Sequence, residues 1–188
     1  YPIVLLTGLH GVGKTTLLTQ IVKRARESRP PVRILQLDAR DGLREGRDLI
    51  EAARALGVGP SALMLDNADL VRDLGTALTA IRARHTVSIV LAGASSQGAE
   101  KACASAFGPS GTGIYASYTI HPLEYGEFLL ATGLSDSRQS FDAYSKVGGL
   151  PQSLMVPPTS PDALAFALLR ANSFLLTEIV EPASIRNP

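Results

Sequence analysis

Residues 8–15 contain the chemistry that is easiest to interpret: they read Gly-Leu-His-Gly-Val-Gly-Lys-Thr and match the pattern G-x-x-x-x-G-K-[ST]. The glycines let the backbone curve so that successive N–H groups face a phosphate chain. The lysine can reach β- and γ-phosphates, and the hydroxyl after it can bind Mg²⁺. The pattern therefore predicts a loop that binds a nucleoside triphosphate. We assign the phosphate contacts to Gly8, Gly11, Val12, Gly13, Lys14, Thr15 and Thr16, with a catalytic role for Lys14 and a Mg²⁺ contact for Thr15.

A nucleotide site of this type also needs an acidic residue for the metal. Asp66 directly follows the apolar run Ala62–Leu65, as expected for a strand that leads to the carboxyl edge of a sheet. Asp38 follows the run Val32–Leu37 and is the competing candidate. We favour Asp66 because its strand is more apolar and lies at the expected distance from the loop. We predict that Asp66 holds Mg²⁺ through a water molecule.

Two further positions concern hydrolysis. P-loop ATPases of this layout typically have a glutamate after the metal-binding aspartate, whereas this chain has Asn67. An amide cannot accept a proton at neutral pH, so Asn67 can only orient the attacking water, and Asp69 is a candidate substitute for the carboxylate. Ser95 follows the fourth predicted strand and is a candidate contact for the γ-phosphate or for that water. The alternative is that Ser95 caps the next helix.

Short apolar runs alternate with helical patterns and must position these side chains. The predicted strands are Ile3–Leu6, Val32–Leu37, Ala62–Leu65, Val87–Ala92 and Ile114–Ile120. The predicted helices are Thr15–Arg29, Asp48–Leu56, Leu70–Arg84, Ala99–Phe107, Leu123–Thr132, Arg138–Val147 and Asp162–Val180. Strands that alternate with helices predict a parallel sheet covered on both faces. The last helix is apolar around most of its circumference, so we expect it either to be deeply buried or to pack against a part of the protein beyond this sequence.

The composition narrows the class of protein. The 188 residues are 45% hydrophobic and 19% charged, which predicts a folded domain, and the net charge of +1 argues against a chain that mainly coats nucleic acid or an anionic membrane. The single cysteine cannot form an intramolecular disulfide, and no apolar run approaches the length of a membrane span. We therefore predict a cytoplasmic protein that does not enter a membrane.

Basic residues cluster near the end of the first predicted helix: Lys23, Arg24, Arg26, Arg29 and Arg33. The simpler interpretation is a solvated helix end stabilised by the helix dipole. A role linked to DNA stays open as the alternative.

Five further segments follow the phosphate loop along the chain and match a known sequence pattern in the same order. They are Ile34–Asp38, Leu63–Asn67, Leu91–Ser96, Ile120–Leu129, which contains Pro-Leu-Glu-Tyr-Gly-Glu-Phe, and Gly148-Gly149-Leu150-Pro151. With the loop, these segments resemble those of the prokaryotic AAA-type ATPases that carry a C-terminal domain of unknown function, and they are similar to those of archaeal-type ATPases.

This resemblance implies an α/β P-loop NTPase fold with a five-stranded parallel sheet, strand order 5-1-4-3-2, flanked by helices and followed by a small helical lid. It implies a nucleotide-binding core over residues 1–121 and a lid over 122–188. The expected ligands are ATP and Mg²⁺. The expected partners are a C-terminal domain of the same protein, approached through Leu175–Pro188, and either another protein or a second copy of the chain.

The chain departs from the family at two places. Asn67 replaces the usual glutamate, and Gly111-Thr112-Gly113 replaces a Gly-Arg pair that precedes the fifth strand, with no arginine between Glu100 and Arg138. An arginine finger alone contributes ~10³–10⁵ in rate. We therefore expect an ATP-binding module whose hydrolysis is slow, below about 1 s⁻¹, or depends on a partner.

Two other functions compete with this one. The first is a nucleotide-gated switch or scaffold without turnover, which the two departures favour. The second is a small-molecule kinase, which the lack of arginines over residues 95–135 disfavours.

Overall fold

The computed structural model describes residues 2–27, 32–94, 98–111 and 113–174. Within these ranges the strands are β1 (Ile3–Thr7), β2 (Arg33–Asp38), β3 (Ser61–Asp66), β4 (Val87–Ala92) and β5 (Tyr115–Thr119). The α-helices are α1 (Lys14–Arg26), α2 (Gly46–Ala53), α3 (Leu74–Arg84), α4 (Ala99–Phe107), α5 (Tyr125–Thr132), α6 (Arg138–Val147) and α7 (Ala163–Phe174). Short 3-10 turns follow β2, α2, β3 and α6.

The five strands form one parallel sheet in the order β2-β3-β4-β1-β5. This result confirms the predicted order. The register pairs Asp38 with Asp66 at the carboxyl ends of β2 and β3. Parallel neighbours present their carboxyl ends at one edge, so the two aspartates lie next to each other at the edge where ligands bind in open α/β sheets.

Each face of the sheet has its own core. On one face, alternate strand residues such as Ile3, Leu63 and Ile89 are buried with apolar residues of α2, α3 and α4. On the other face, Leu6 and Met64 form a cluster with residues of α1. All six residues of β3 are buried, as expected for a central strand covered on both sides.

Helix α4, which packs on one face of the sheet, contains the sole cysteine of the sequence. Cys103 has no exposed surface, and its neighbours in the core include Tyr115 of β5. Burial, and secondarily the charge of Glu100, raises the pKa of the Cys103 thiol from 9.0 to about 11. The thiol is therefore a neutral part of the core at physiological pH.

Three predicted helix starts are wrong by two or more residues: those of α2, α3 and α5, the last of which begins at Tyr125 rather than at Leu123. Helix α2 begins at Gly46 rather than at Asp48, because Glu45 precedes the first turn and its N–H donates to Asp48 Oδ2 at 3.0 Å. Helix α3 begins at Leu74 rather than at Leu70, because Asp73 has a left-handed backbone, with φ of 53°, that separates the helix from the preceding 3-10 turn.

The chain forms two compact units. One contains the residues up to Gly8 together with Lys14–Ile120, and so holds the sheet. The other contains Leu9–Gly13 and the helical residues from His121 onward. No helix in the described ranges is long and apolar enough to cross a membrane.

The helical unit has a small core of its own, formed by Phe128, Ala143, Val147 and Ala163. Leu123 N–H donates to Gly149 O at 2.7 Å, and a side chain at position 149 would collide with the Leu123 backbone. Of the two alternatives given for α7, deep burial is wrong, since Leu168 and Leu169 are 57% and 67% exposed. The predicted residues of this helix beyond Phe174 lie outside the described ranges.

Candidate nucleotide-binding site

The glycine loop between β1 and α1 has the backbone that its sequence predicts. Gly8, Gly11 and Gly13 have φ angles of 141°, 80° and 103°, which side-chain-bearing residues rarely adopt. Val12 N–H donates to Leu9 O at 3.4 Å, which closes a turn within the loop. A side chain at position 11 would also crowd Gln152 Oε1, at 3.1 Å. These three glycines therefore allow a conformation that other residues would strain.

Helix α1 begins directly after the loop, so its first free N–H groups and the positive end of its dipole lie at Lys14, Thr15 and Thr16. Lys14 is buried, and its Nζ donates to Gly8 O at 2.7 Å. This bond holds the ammonium group at the beginning of the glycine loop. Thr15 and Thr16 are exposed at the start of the helix.

The predicted metal residues lie in direct contact. Thr15 Oγ1 donates to Asp66 Oδ2 at 2.6 Å, and Asn67 N–H donates to Asp66 Oδ1 at 2.9 Å. Asp66 is 9% exposed. A hydroxyl and a carboxylate side by side are oxygen ligands that suit Mg²⁺, which binds through few protein groups and keeps several waters. The described residues contain no cluster of three or more acidic, histidine or cysteine groups that could hold a metal without a nucleotide. The donor set therefore fits a nucleotide-bound Mg²⁺.

Asn67 has a left-handed backbone, with φ of 53° and ψ of 39°. Its Nδ2 donates to Asp38 Oδ1 at 2.8 Å, and Arg40 N–H donates to the same oxygen at 2.9 Å. From the sequence, Asn67 is expected to orient water and Asp38 is the competing metal ligand. The bond between them was not predicted, although the paired ends of adjacent strands are a signal for it.

Asp69 has a structural partner. Its Oδ1 accepts a hydrogen bond from Ala94 N–H at 3.1 Å, and a side chain added at Gly93 or Gly98 would lie 3.0 Å from Asp69. Asp69 therefore connects the turn after β3 to the loop after β4, which disfavours it as the substitute for the missing glutamate. The predicted catalytic residue Ser95 lies outside the described ranges.

A protein-family model described as AAA domain matches residues 1–129. The chain belongs to the AAA family. It is thus a nucleotide-binding AAA module, and the parallel sheet and the loop preceding α1 are those of its family.

Solved AAA structures have the same fold. The chain superimposes on Caenorhabditis elegans PCH-2 with a TM-score of 0.52 and 13% identity, covering 93% of this chain and 61% of PCH-2. It superimposes on the Aeropyrum pernix ORC2 protein with a TM-score of 0.53 and 14% identity, covering 97% of this chain and 58% of ORC2. The chain thus spans about three fifths of the length of these two structures. Among curated protein sequences, none matches this chain.

Proposed function

We propose that this AAA domain binds ATP with Mg²⁺ and hydrolyses it slowly, or only when a partner completes the site. The contact between Thr15 Oγ1 and Asp66 Oδ2 at 2.6 Å carries the proposal, because it joins the phosphate loop to the carboxylate proposed to bind the metal. The ORC2 structure, which has the same fold, contains ADPNP and ADP, which supports an adenine nucleotide as the ligand.

Each residue of the site would contact either the phosphates or Mg²⁺, according to its chemistry. The backbone N–H groups from Gly8 to Thr16 would face the phosphates, and Lys14 would neutralise the charge of the β- and γ-phosphates. Thr15 and Asp66 would hold Mg²⁺. When bound, the metal neutralises phosphate charge and orients the γ-phosphate. We also propose that the helices after residue 121 act as a lid over the nucleotide and that a C-terminal domain or a second copy of the chain is the partner.

Slow hydrolysis is expected because this chain lacks two groups that the family usually supplies. Asn67 cannot accept a proton, and the sequence has no arginine between Glu100 and Arg138. Loss of an arginine finger alone reduces the rate by ~10³–10⁵. A partner that donates an arginine would restore part of this rate.

Titration with a fluorescent ATP analogue tests binding, with and without Mg²⁺. Lys14→Ala should weaken binding by about 100-fold, since it removes a charge-assisted contact to phosphate. Asp66→Asn should abolish the gain in affinity that Mg²⁺ provides. Lys23→Ala, an exposed cation in the last turn of the same helix, is the matched control and should bind as the wild type does. Equal affinity for wild type and Lys14→Ala would refute the proposal.

The second candidate is a nucleotide-gated switch that binds ATP without turnover. The bond from Asn67 Nδ2 to Asp38 favours it, because the position of the usual glutamate holds an amide that already has a partner. Phosphate release above the level of Lys14→Ala supports the ATPase, whereas tight binding with no release above that level supports the switch.

A further inference from the structure

We propose that Asp38 is a catalytic residue that accepts the proton of the attacking water, and that Asn67 is the positioning residue that holds it. This inference rests on the ATP hydrolysis proposed above. Under this proposal, Asp38 at the end of β2 does the work of the glutamate that usually follows the end of β3.

The position of Asp38 supports this role. It is the last residue of β2 and pairs with Asp66, the last residue of β3, so both carboxylates lie at the same edge of the sheet. Asp38 is partly exposed, whereas Asp66 is buried. Water can therefore reach Asp38 directly beside the predicted metal site.

The hydrogen bonds of Asp38 leave one oxygen available. Oδ1 accepts from Asn67 Nδ2 at 2.8 Å and from Arg40 N–H at 2.9 Å. Two donors on one oxygen fix the plane of the carboxylate. Among the described residues, no donor is bonded to Oδ2. Oδ2 is thus free to accept a hydrogen bond from water.

The neighbouring candidates are each engaged otherwise. Asp66 uses Oδ2 for Thr15 and Oδ1 for Asn67 N–H, as expected for a metal-binding carboxylate. Asp69 Oδ1 accepts from Ala94 N–H and connects two loops. Asn67 has no basic group, and its Nδ2 is bonded to Asp38. Asp38 is preferred over Asp69 because it pairs with Asp66 at the end of the neighbouring strand and because two donors hold its carboxylate.

The step balances with water and ATP alone. The water oxygen forms a bond to the γ-phosphorus while one of its protons passes to Asp38 Oδ2. The bond between the γ-phosphorus and the β,γ-bridging oxygen breaks, and ADP leaves with that electron pair. Asp38 then releases the proton to solvent, and inorganic phosphate dissociates.

The experiment measures three quantities in each variant: the Kd for Mg-ATP, the rate of phosphate release, and the side-chain amide signals of Asn67 in a ¹H–¹⁵N spectrum without nucleotide. General-base catalysis contributes typically ~10²–10⁴-fold, so Asp38→Asn should lower kcat by about 100-fold or more and leave the Kd within about threefold. Asp38→Glu should retain more turnover than Asp38→Asn. Asp41→Asn removes an exposed carboxylate from the 3-10 turn after β2 and is the matched control, with no change expected.

Asn67→Ala tests the positioning role. It should lower kcat by about tenfold with an unchanged KM, a smaller loss than that of Asp38→Asn because the carboxylate remains but is held less firmly. The Asn67 amide signals should shift in Asp38→Asn and stay in place in Asp41→Asn.

The outcomes separate this proposal from the proposed function. Normal Mg-ATP binding with turnover that is equal in wild type and Asp38→Asn overturns the role of Asp38 and leaves the nucleotide-binding function intact. Binding without any turnover above that of Lys14→Ala overturns it in the same way and supports the switch. A wild-type chain that does not bind Mg-ATP refutes both proposals.

Discussion

Asn67 combines a costly backbone with a favourable side-chain bond. Its left-handed conformation, φ 53°, disfavours most side chains, although asparagine tolerates it better than others. The bond from Nδ2 to Asp38 Oδ1 at 2.8 Å offsets part of the cost of that conformation. The backbone conformation of Asn67 therefore lowers the stability of the fold, and its amide bond raises it.

Two substitutions separate these contributions. Asn67→Ala loses the amide and keeps a Cβ in a left-handed conformation, whereas Asn67→Gly loses both the amide and the Cβ. We expect Asn67→Ala to be less stable than Asn67→Gly by about 1 kcal/mol in urea unfolding, because that is the usual cost of a Cβ in this conformation. Equal stability of the two variants would show that the backbone at position 67 relaxes when the amide is removed.

The sequence predicts some residues of the site better than others. Lys14 and Thr15 follow the glycine loop directly, and Asp66 follows an apolar strand, so local order along the chain predicts their role. The bond between Asn67 and Asp38 joins residues that are 29 positions apart and depends on the register of β2 with β3. Such a pairing follows from tertiary structure, which residue type and spacing do not encode directly.

At the scale of elements, the predictions are best where local signals are strong. The predicted bounds of β4, α4 and α6 agree with the structure, because apolar periodicity and flanking glycines or a serine cap mark their ends. The start of α3 was wrong because Asp73 adopts a left-handed conformation that its residue type permits but does not require. Helix α7 was expected either to be deeply buried or to pack against a part of the protein beyond this sequence; the first alternative is wrong, because apolar composition does not determine which neighbours cover a helix.

Helices α3 and α4 approach closely at Gly75. A Cβ at this position would lie 2.6 Å from Ala102 O and 3.1 Å from Ala106 Cβ. Gly75→Ala should therefore destabilise the protein by about 1–3 kcal/mol through overpacking, measured by chemical unfolding.

Gly126 provides the matched control, since it also lies in a helix but nothing lies within 4 Å of an added Cβ. Gly126→Ala should leave stability unchanged or raise it by up to about 1 kcal/mol, because alanine favours helix more than glycine does. If Gly75→Ala were as stable as Gly126→Ala, the close packing of α3 on α4 would be refuted.

At the scale of the whole molecule, the burial of two weak acids, Cys103 and Tyr115, should make the free energy of unfolding fall at alkaline pH. The pKa of Cys103 rises from 9.0 to about 11, first through burial and then through the charge of Glu100. Burial also raises the pKa of Tyr115 above 10.0, with smaller contributions from Cys103 and Glu100. In each case the unfolded chain releases the proton at a lower pH than the folded chain does.

Ionisation of Cys103 should therefore leave the free energy of unfolding unchanged below pH 9 and should lower it as the pH rises from 9 to about 11. Urea unfolding at a series of pH values measures this decline. Cys103→Ala should be less stable at neutral pH but should show a shallower decline over that range, with the contribution of Tyr115 remaining above pH 10. An unchanged slope in Cys103→Ala would contradict the assignment.

The same cysteine gives access to the motions of the folded state. Because Cys103 is the single cysteine and is fully buried, an alkylating reagent can react with it only after α4 and its neighbours separate. When separation and closure are fast compared with alkylation, the ratio of the observed rate to that of an unfolded thiol gives the equilibrium constant for this opening. One natural residue thus reports how often the core beneath the sheet becomes accessible, and whether a bound nucleotide makes such events rarer.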